Sequence, residues 1–420
     1  MRLVYMKDAG EMRKRDLLKT KWGRALVAFT FYFAEGAPIG FIWWAMPTLL
    51  KKEGVSIDVI AIFTSSLTIP WAFKFVWAPL IDVFRNQRNG FKQWIAWSQL
   101  FMCLTLLPLV FVPLSGNILL WAACLFLHSL CAATQDVSVD ALMINALVPE
   151  EKGRINAYMQ AGMLSGRGLF GGGALMSLHY FGLSVMVLLM ILLILSVLLL
   201  VFFIQNPGQQ TSEQKAPGGF KKNLKETFSN SQTWYALGFA LTAAAAFEAV
   251  GAMAGPFLTD QHIDITMIGV FFAAPVIFVT IIGGLVGGFL ADKLARRKAL
   301  VIFLLASVFT IILISLPDVL NFSVSDITWL LLFSAMYFFV GMFTTSSYAL
   351  FMDVTNPKLS ATEFSTFMAA TNACEAWVVW SAGAIIVANG YGMAFLLMCI
   401  ISLLSLVFLF RLKEKKFQTD

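Results

Sequence analysis

Long apolar runs dominate this chain, and each is long enough to cross the hydrocarbon core of a membrane as a helix. Hydrophobic residues make up 59% of the 420 residues and charged residues 13%, against about 25% charged in a typical soluble domain. The sequence therefore predicts an all-α polytopic membrane protein with twelve transmembrane helices. The predicted helices span 22–49, 57–80, 94–113, 118–147, 154–178, 182–205, 232–258, 266–290, 299–316, 327–352, 362–388 and 391–411.

The basic residues set the orientation of these helices. Of the 30 Lys and Arg residues, 26 lie near the two termini or in loops on the same side, whereas the loops on the other side hold only Lys51 and Lys52. Because cytoplasmic loops carry the excess of Lys and Arg, both termini are expected in the cytoplasm. Topology thereby explains the net charge of +6, and no nucleic-acid partner is predicted.

A polar linker divides the helices into two groups of six. Residues 206–231 are rich in Gly, Gln, Ser, Lys and Pro and join predicted helix 6 to predicted helix 7. This arrangement indicates two pseudo-symmetric six-helix bundles. The predicted organisation is a cytoplasmic tail (1–21), a first bundle (22–205), the linker (206–231), a second bundle (232–411) and a cytoplasmic tail (412–420).

An internal repeat supports the two bundles. Residues in matching helices recur at a nearly constant offset, which places Arg167 on Glu375 and Gly182 on Gly390. Parallel repeats of this kind are typical of secondary transporters with a substrate site between the two halves.

Charged residues inside the apolar runs are the strongest functional signal. A charge at the centre of a spanning helix costs about 3 kcal/mol, so water in a cavity or ion pairing must relieve most of this cost. Predicted helices 3, 6, 9 and 12 carry no deep charge. The deep charges are Glu35, Asp136, Asp140, Arg167, Glu248 and Glu375, with Asp353 at the end of predicted helix 10.

Asp136 and Arg167 are candidates for an ion pair. At 1.5 Å per residue, each lies near the membrane midplane, on helices that follow each other in the chain. The pair is either purely structural, or it opens during transport or contacts an anionic substrate. With Gln135, these residues form the predicted substrate and ion-pair cavity.

Three glutamates, Glu35, Glu248 and Glu375, are candidates for proton coupling. Desolvation in a cavity raises the pKa of a carboxyl toward the physiological range. Such a carboxyl can bind a proton on one side of the membrane and release it on the other. Glu35 is the first choice, since the glycines and proline that follow it in EGAPIG (35–40) can loosen the helix.

Several motifs identify a family resemblance. The stretch 288–297, GFLADKLARR, resembles the loop signature of the major facilitator superfamily. The stretches KFVWAPLID (74–82), QDVSVDA (135–141) and, more loosely, EGAPIG resemble one branch of it. That branch holds AmpG-type muropeptide permeases, acetyl-CoA transporters and RhtX/FptX-type siderophore importers.

The resemblance implies which helices face a central cavity. In the superfamily, helices 1, 4, 7 and 10, with 2, 5, 8 and 11, line the cavity, and helices 3, 6, 9 and 12 face lipid, which matches the distribution of deep charges. It also implies a cytoplasmic gate, although Lys74 could equally extend to the membrane interface. The predicted gate residues are Lys74, Asp82, Asp140, Asp292, Arg296, Arg297 and Asp353.

The expected function is that of a monomeric secondary transporter in a bacterial-type inner membrane. It would import a bulky polar solute by alternating access, driven by a proton gradient. A peptidoglycan muropeptide and a ferric siderophore are the leading candidates, and an acyl-CoA-type conjugate is third. Family breadth favours the muropeptide. AmpG-type permeases commonly carry two further helices, so the count of twelve favours the siderophore.

Other classes are less well supported by the sequence. No catalytic constellation, metal-ligand spacing or cofactor motif is visible, so no enzyme, metal or cofactor is predicted. A transporter-like sensor would normally carry a large cytoplasmic appendage, and the tails here are short.

Overall fold

The computed structural model describes residues 16–77, 81, 90–146, 152–204, 225, 228–354 and 360–412. Secondary structure in these ranges is helical, and ten helices there are long and apolar enough to cross a membrane. The helices are α1 (Lys21–Gly40, a π-helical turn Phe41–Ala45, then Met46–Lys52), α2 (Ile57–Phe73), α3 (Gly90–Phe111), α4 (Ile118–Ala146), α5 (Lys152–Arg167, a π-helical turn Gly168–Gly172, then 173–181), α6 (183–200), α7 (Ser231–Thr242 and Ala245–Asp260), α8 (Ile265–Ala273 and Pro275–Lys293), α9 (Arg296–Leu320), α10 (Asp326–Val354), α11 (360–389) and α12 (391–411).

Two glycines separate the closely joined helices. Gly182 has φ 73° between α5 and α6, and Gly390 has φ 84° between α11 and α12. Glycine adopts this left-handed conformation without the steric cost that a Cβ brings. These glycines are the pair that the internal repeat aligned. The double-length span Thr366–Arg411 is thus two helices, and with the more polar α5 the described part of the chain holds the predicted twelve.

The first compact unit contains residues 1–45 and 76–212. Within it α1 packs along α5, and α3 packs against α4 and α6. Its apolar core includes Phe31, Ile95, Leu142 and Val197, which are buried side chains of α1, α3, α4 and α6.

The second compact unit contains residues 46–75 and 213–420. In this unit α2 packs along α11, α8 packs along α10, and α7 packs against α11 and α12. Residues 46–75 belong to this unit, whereas the sequence analysis placed them in the first bundle. The reason is the close packing of α2 on α11, where a Cβ on Gly383 would lie 2.0 Å from the Cβ of Ala61. The bundle boundaries themselves stay a prediction.

The end of α9 lies one turn beyond the predicted residue 316. Asn321 terminates the helix in the left-handed conformation, with φ 54° and ψ 49°. The additional turn carries Asp318, whose Oδ2 accepts a hydrogen bond from the Gly392 N–H at 2.6 Å. This contact ties α9 to the beginning of α12.

Candidate functional site

The helices α1 and α5 pack backbone against backbone. A Cβ on Gly36 would lie 2.2 Å from the Met163 carbonyl oxygen, and a Cβ on Gly40 would lie 2.2 Å from the Arg167 carbonyl oxygen. Gly166 approaches the α1 backbone equally closely. Small residues permit such approach between membrane helices. The glycines of the EGAPIG stretch therefore fix the backbone of Arg167 against α1.

Two π-helical turns meet where this contact ends. Phe41–Ala45 of α1 packs against Gly168–Gly172 of α5, and a Cβ on Gly171 would lie 2.9 Å from the Trp44 ring. Isolated π-turns interrupt the regular backbone hydrogen bonds and are frequent at functional sites. Arg167 is half-buried directly before the second turn, and its Nε is buried with no acceptor among the described residues.

A polar cluster lies between α1 and α4. The Tyr32 hydroxyl donates a hydrogen bond to the Asp140 carboxylate, and Tyr32 is within electrostatic range of Glu35 and Asp136. Glu35, Asp136 and Gln135 are buried, at 1%, 6% and 0% exposed. The Gln135 amide has no hydrogen-bond partner in the described part of the chain.

The cluster brings together residues that the sequence placed in three different roles. Glu35 was a proton-coupling candidate, Asp136 a cavity residue and Asp140 a gate residue. The sequence analysis missed Tyr32, although it lies three residues before Glu35 and therefore on the same face of α1. The Asp136–Arg167 pair stays a prediction.

In the second unit, α7 is broken near its middle. The Trp377 indole Nε1–H donates to the Leu241 carbonyl at 3.0 Å, and the Ala246 N–H donates to Ser402 Oγ at 2.8 Å. These bonds from α11 and α12 satisfy backbone groups that the break leaves without helical partners. Glu248 lies in the first turn after the break.

The structure describes some of the residues of the predicted cytoplasmic gate. Arg296 Nη1 lies 2.9 Å from Asp353 Oδ2, so an ion pair joins α9 to the end of α10. Arg297 donates to the Leu412 carbonyl oxygen. Lys74 is half-buried in a short 3-10 turn after α2. Asp82 and the side chain of Asp292 lie outside the described residues.

A second polar cluster, at the other end of the helices, was missed. Asp260 at the end of α7 accepts from Lys51 Nζ at 2.8 Å and from the Tyr391 hydroxyl at 2.9 Å. The available signal was Lys51 itself, one of only two Lys or Arg residues in the loops predicted to lie outside the cytoplasm.

Known proteins resemble this chain over most of its length. It is 26% identical over 401 residues to the anhydromuropeptide permease of Escherichia coli (strain K12), covering 89% of this chain and 76% of the permease. A Rickettsia conorii relative named AmpG 4 is 24% identical over 417 residues, covering 93% and 97%.

Solved structures share the fold. A D-xylose-proton symporter superposes with a TM-score of 0.75 at 12% identity, covering 93% of this chain and 98% of the symporter. A bacterial homologue of the human lysosomal transporter Spinster, in an inward-facing and unoccupied conformation, gives 0.72 at 15% identity, with 92% and 95% covered.

The family model of the Major Facilitator Superfamily matches residues 25–254 and 237–419, which together span nearly the whole chain. The twelve described helices and the two matches agree with the architecture of that family. This chain therefore belongs to the Major Facilitator Superfamily of membrane transporters.

Proposed function

We propose that this protein imports a peptidoglycan muropeptide, or a solute of similar size and polarity, across a bacterial inner membrane by proton-coupled alternating access. The observation that carries the proposal is the similarity to the anhydromuropeptide permease of Escherichia coli over 401 residues. Two of the three stretches that resemble the AmpG branch, EGAPIG and QDVSVDA, lie on α1 and α4, the helices that carry the buried Glu35, Gln135 and Asp136.

The α1–α5 contact supports an anionic, ring-containing solute. Arg167 can form paired hydrogen bonds with a carboxylate, and Trp44 offers an aromatic face for a sugar ring. Trp44 lies in the π-turn of α1 and Arg167 directly before the π-turn of α5, and these two turns pack against each other. In the proposal, the solute's acidic group therefore binds at Arg167, with Gln135 and Asp136 as further cavity residues.

Proton coupling is assigned to the buried carboxyls. Glu35 is the first candidate, because it is 1% exposed and lies with Asp136 and Asp140 around Tyr32. Glu248 and Glu375 are the two further candidates.

The gate is proposed at the cytoplasmic ends of the helices. Arg296 and Asp353 form an ion pair there, and Arg297 follows Arg296 in the chain. Lys74, Asp82, Asp140 and Asp292 complete it. In the proposal, both termini of the protein lie in the cytoplasm, and the protein acts as a monomer.

A ferric siderophore is the second candidate solute. The twelve described helices favour it. Uptake of radiolabelled muropeptide and of ferric siderophore into right-side-out and inverted vesicles separates the two. The proposal expects muropeptide accumulation in right-side-out vesicles that collapses when a protonophore removes the gradient. If the vesicles take up only the ferric siderophore, the siderophore and not the muropeptide is the substrate. Accumulation that does not depend on the gradient would exclude proton coupling.

A further inference from the structure

The hydroxyl of Tyr32 connects two helices of the first unit. Tyr32 lies on α1, and its hydroxyl donates a hydrogen bond to the Asp140 carboxylate on α4, 108 residues further along the chain. A hydrogen bond to a carboxylate is stronger than one between two neutral groups. A movement that separates α1 from α4 at this level therefore has to break a strong bond.

The ring of Tyr32 is held in place by packing. The side chain is 7% exposed and belongs to an apolar cluster that also contains Ala28 of α1 and Val139 and Met143 of α4. These two α4 residues lie on either side of Asp140 in the helix. Because close packing fixes the ring, Tyr32→Phe should remove the hydroxyl and leave the rest of the contact in place.

Two more carboxyl groups lie around the same hydroxyl. Tyr32 is within electrostatic range of Glu35, one turn further along α1, and of Asp136, one turn before Asp140 on α4. A tyrosine hydroxyl has a single proton to donate, so a hydrogen bond to Asp140 competes with one to another carboxyl. The charges on Glu35 and Asp136 therefore act on the bond that joins the two helices.

A proton on Glu35 changes this balance. An ionised Glu35 attracts the proton of the hydroxyl and repels the Asp140 carboxylate, and both effects weaken the bond between Tyr32 and Asp140. A protonated Glu35 carries no charge and has neither effect. Salt screens buried charges much less than exposed ones, and Glu35 is 1% exposed. The charge state of Glu35 is thus transmitted to Asp140 through one side chain.

We infer that Tyr32 is the positioning residue that couples proton binding at Glu35 to the cytoplasmic gate at Asp140. With Glu35 protonated, the hydroxyl holds Asp140, and with it α4, against α1. With Glu35 ionised, the hydroxyl releases Asp140 and the two helices can separate. This role rests on the proposed function, which assigns proton coupling to Glu35 and the gate to Asp140, and it adds the side chain that connects them.

The first test compares two modes of transport of radiolabelled muropeptide in right-side-out vesicles. Accumulation driven by a proton gradient requires coupling, whereas exchange between equal solute concentrations without a gradient does not. In Tyr32→Phe, accumulation should fall at least about tenfold, which corresponds to about 1.4 kcal/mol. Exchange should stay close to the wild-type rate. A purely structural role of Tyr32 would lower both modes alike.

Tyr158→Phe is the matched control. Tyr158 of α5 is half-buried and packs against the same apolar cluster, so the control removes a hydroxyl from the same surroundings and should keep both modes of transport. Asp140→Asn weakens the same bond from the other side, and adding Tyr32→Phe to it should cause no further loss of accumulation. Wild-type accumulation in Tyr32→Phe, equal loss of both modes, or additive losses in the double variant would each overturn the inference.

A second test does not depend on the solute. If the wild type accumulates no muropeptide, the proposed function fails, and infrared spectroscopy of the purified protein then tests the connection itself. The carboxylate band that Asp140→Asn removes should shift in Tyr32→Phe and in Glu35→Gln, but not in Tyr158→Phe. Adding Glu35→Gln to Tyr32→Phe should cause no further shift. If Glu35→Gln shifts the band equally with and without the Tyr32 hydroxyl, Tyr32 does not couple the two carboxyls.

Discussion

Lys51 Nζ lies 2.8 Å from Asp260 Oδ2, so an ion pair joins the end of α1 to the end of α7. Tyr391 at the beginning of α12 donates to the same carboxylate. A short distance from this pair, a Cβ on Gly255 would meet the Thr48 hydroxyl oxygen at 1.9 Å. The C-terminal end of α1 therefore contacts α7 through both charge and close packing.

The ion pair should contribute little to stability, because both side chains are partly exposed and solvent screens them. Lys51→Glu and Asp260→Lys should each lower the free energy of unfolding by less than about 1 kcal/mol, and the double variant should recover part of the loss. Thermal unfolding in detergent measures this cycle. Lys52→Glu makes the same charge change one residue away. If the double variant loses as much as the sum of the two single variants, the pair is not coupled.

The close contact between α1 and α5 should not tolerate a larger side chain. A Cβ on Gly40 would lie 2.2 Å from the Arg167 carbonyl oxygen, so Gly40→Ala must separate the helices and should cost about 1–3 kcal/mol. Gly173→Ala is the matched control in the same unit, because its Cβ would meet its nearest neighbours at 3.7 Å. Thermal unfolding and the folded yield check the difference. Equal loss in both variants would contradict the packing argument.

The sequence predicted the helices well but the contacts between them poorly. The apolar runs were sufficient to predict twelve helices, because apolar length is a signal that is local in the chain. Tyr32 and Asp140 are 108 residues apart, and Tyr391 and Asp260 are 131 apart. Spacing within one helix shows which residues share a face, but it does not show how that helix is rotated toward its neighbour.

The same limit applies to the candidate site. Glu248 and Glu375 were visible because a charge in an apolar run is costly wherever it points. Tyr32 was not visible, since an aromatic residue in such a run is normal, and only the hydrogen bond from its hydroxyl to Asp140 distinguishes it.

The cap of α8 should respond to pH. The Asp264 carboxylate accepts from the N–H groups of Thr266 at 2.8 Å and Met267 at 3.3 Å. The hydrogen bond from the Thr266 side chain is the largest cause that lowers the pKa of Asp264, and the backbone hydrogen bonds lower it further. The folded pKa is lowered, so the cap stabilises the protein fully above the unfolded pKa of about 3.9. This stabilisation is lost as the pH falls through the folded pKa.

Asp264→Ala should therefore unfold more easily than the wild type at neutral pH, and the difference should shrink on acidification. Thermal unfolding between neutral and acidic pH measures it. Asp264→Asn keeps a capping oxygen without the titration, so its unfolding should follow pH less steeply than that of the wild type. A gap between wild type and Asp264→Ala that is the same at every pH would rule out the ionised cap.

The last prediction concerns Asp136 and Arg167. The structure holds Asp136 on α4, 6% exposed, and Arg167 before the π-turn of α5, with a buried Nε that has no acceptor among the described residues. If the two charges pair during transport, Asp136→Arg and Arg167→Asp should each reduce uptake at least about tenfold, since removing one partner of a buried pair is costly.

The double exchange, Asp136→Arg with Arg167→Asp, restores opposite charges and should recover more uptake than either single variant. Asp136→Asn and Arg167→Gln serve as controls that remove each charge without reversing it. Initial rates of muropeptide uptake, normalised to the amount of protein in the membrane, provide the measurement. The double exchange keeps opposite charges at the two positions, so a pair should survive it. If the double variant takes up no more solute than the less active single variant, the two residues act separately.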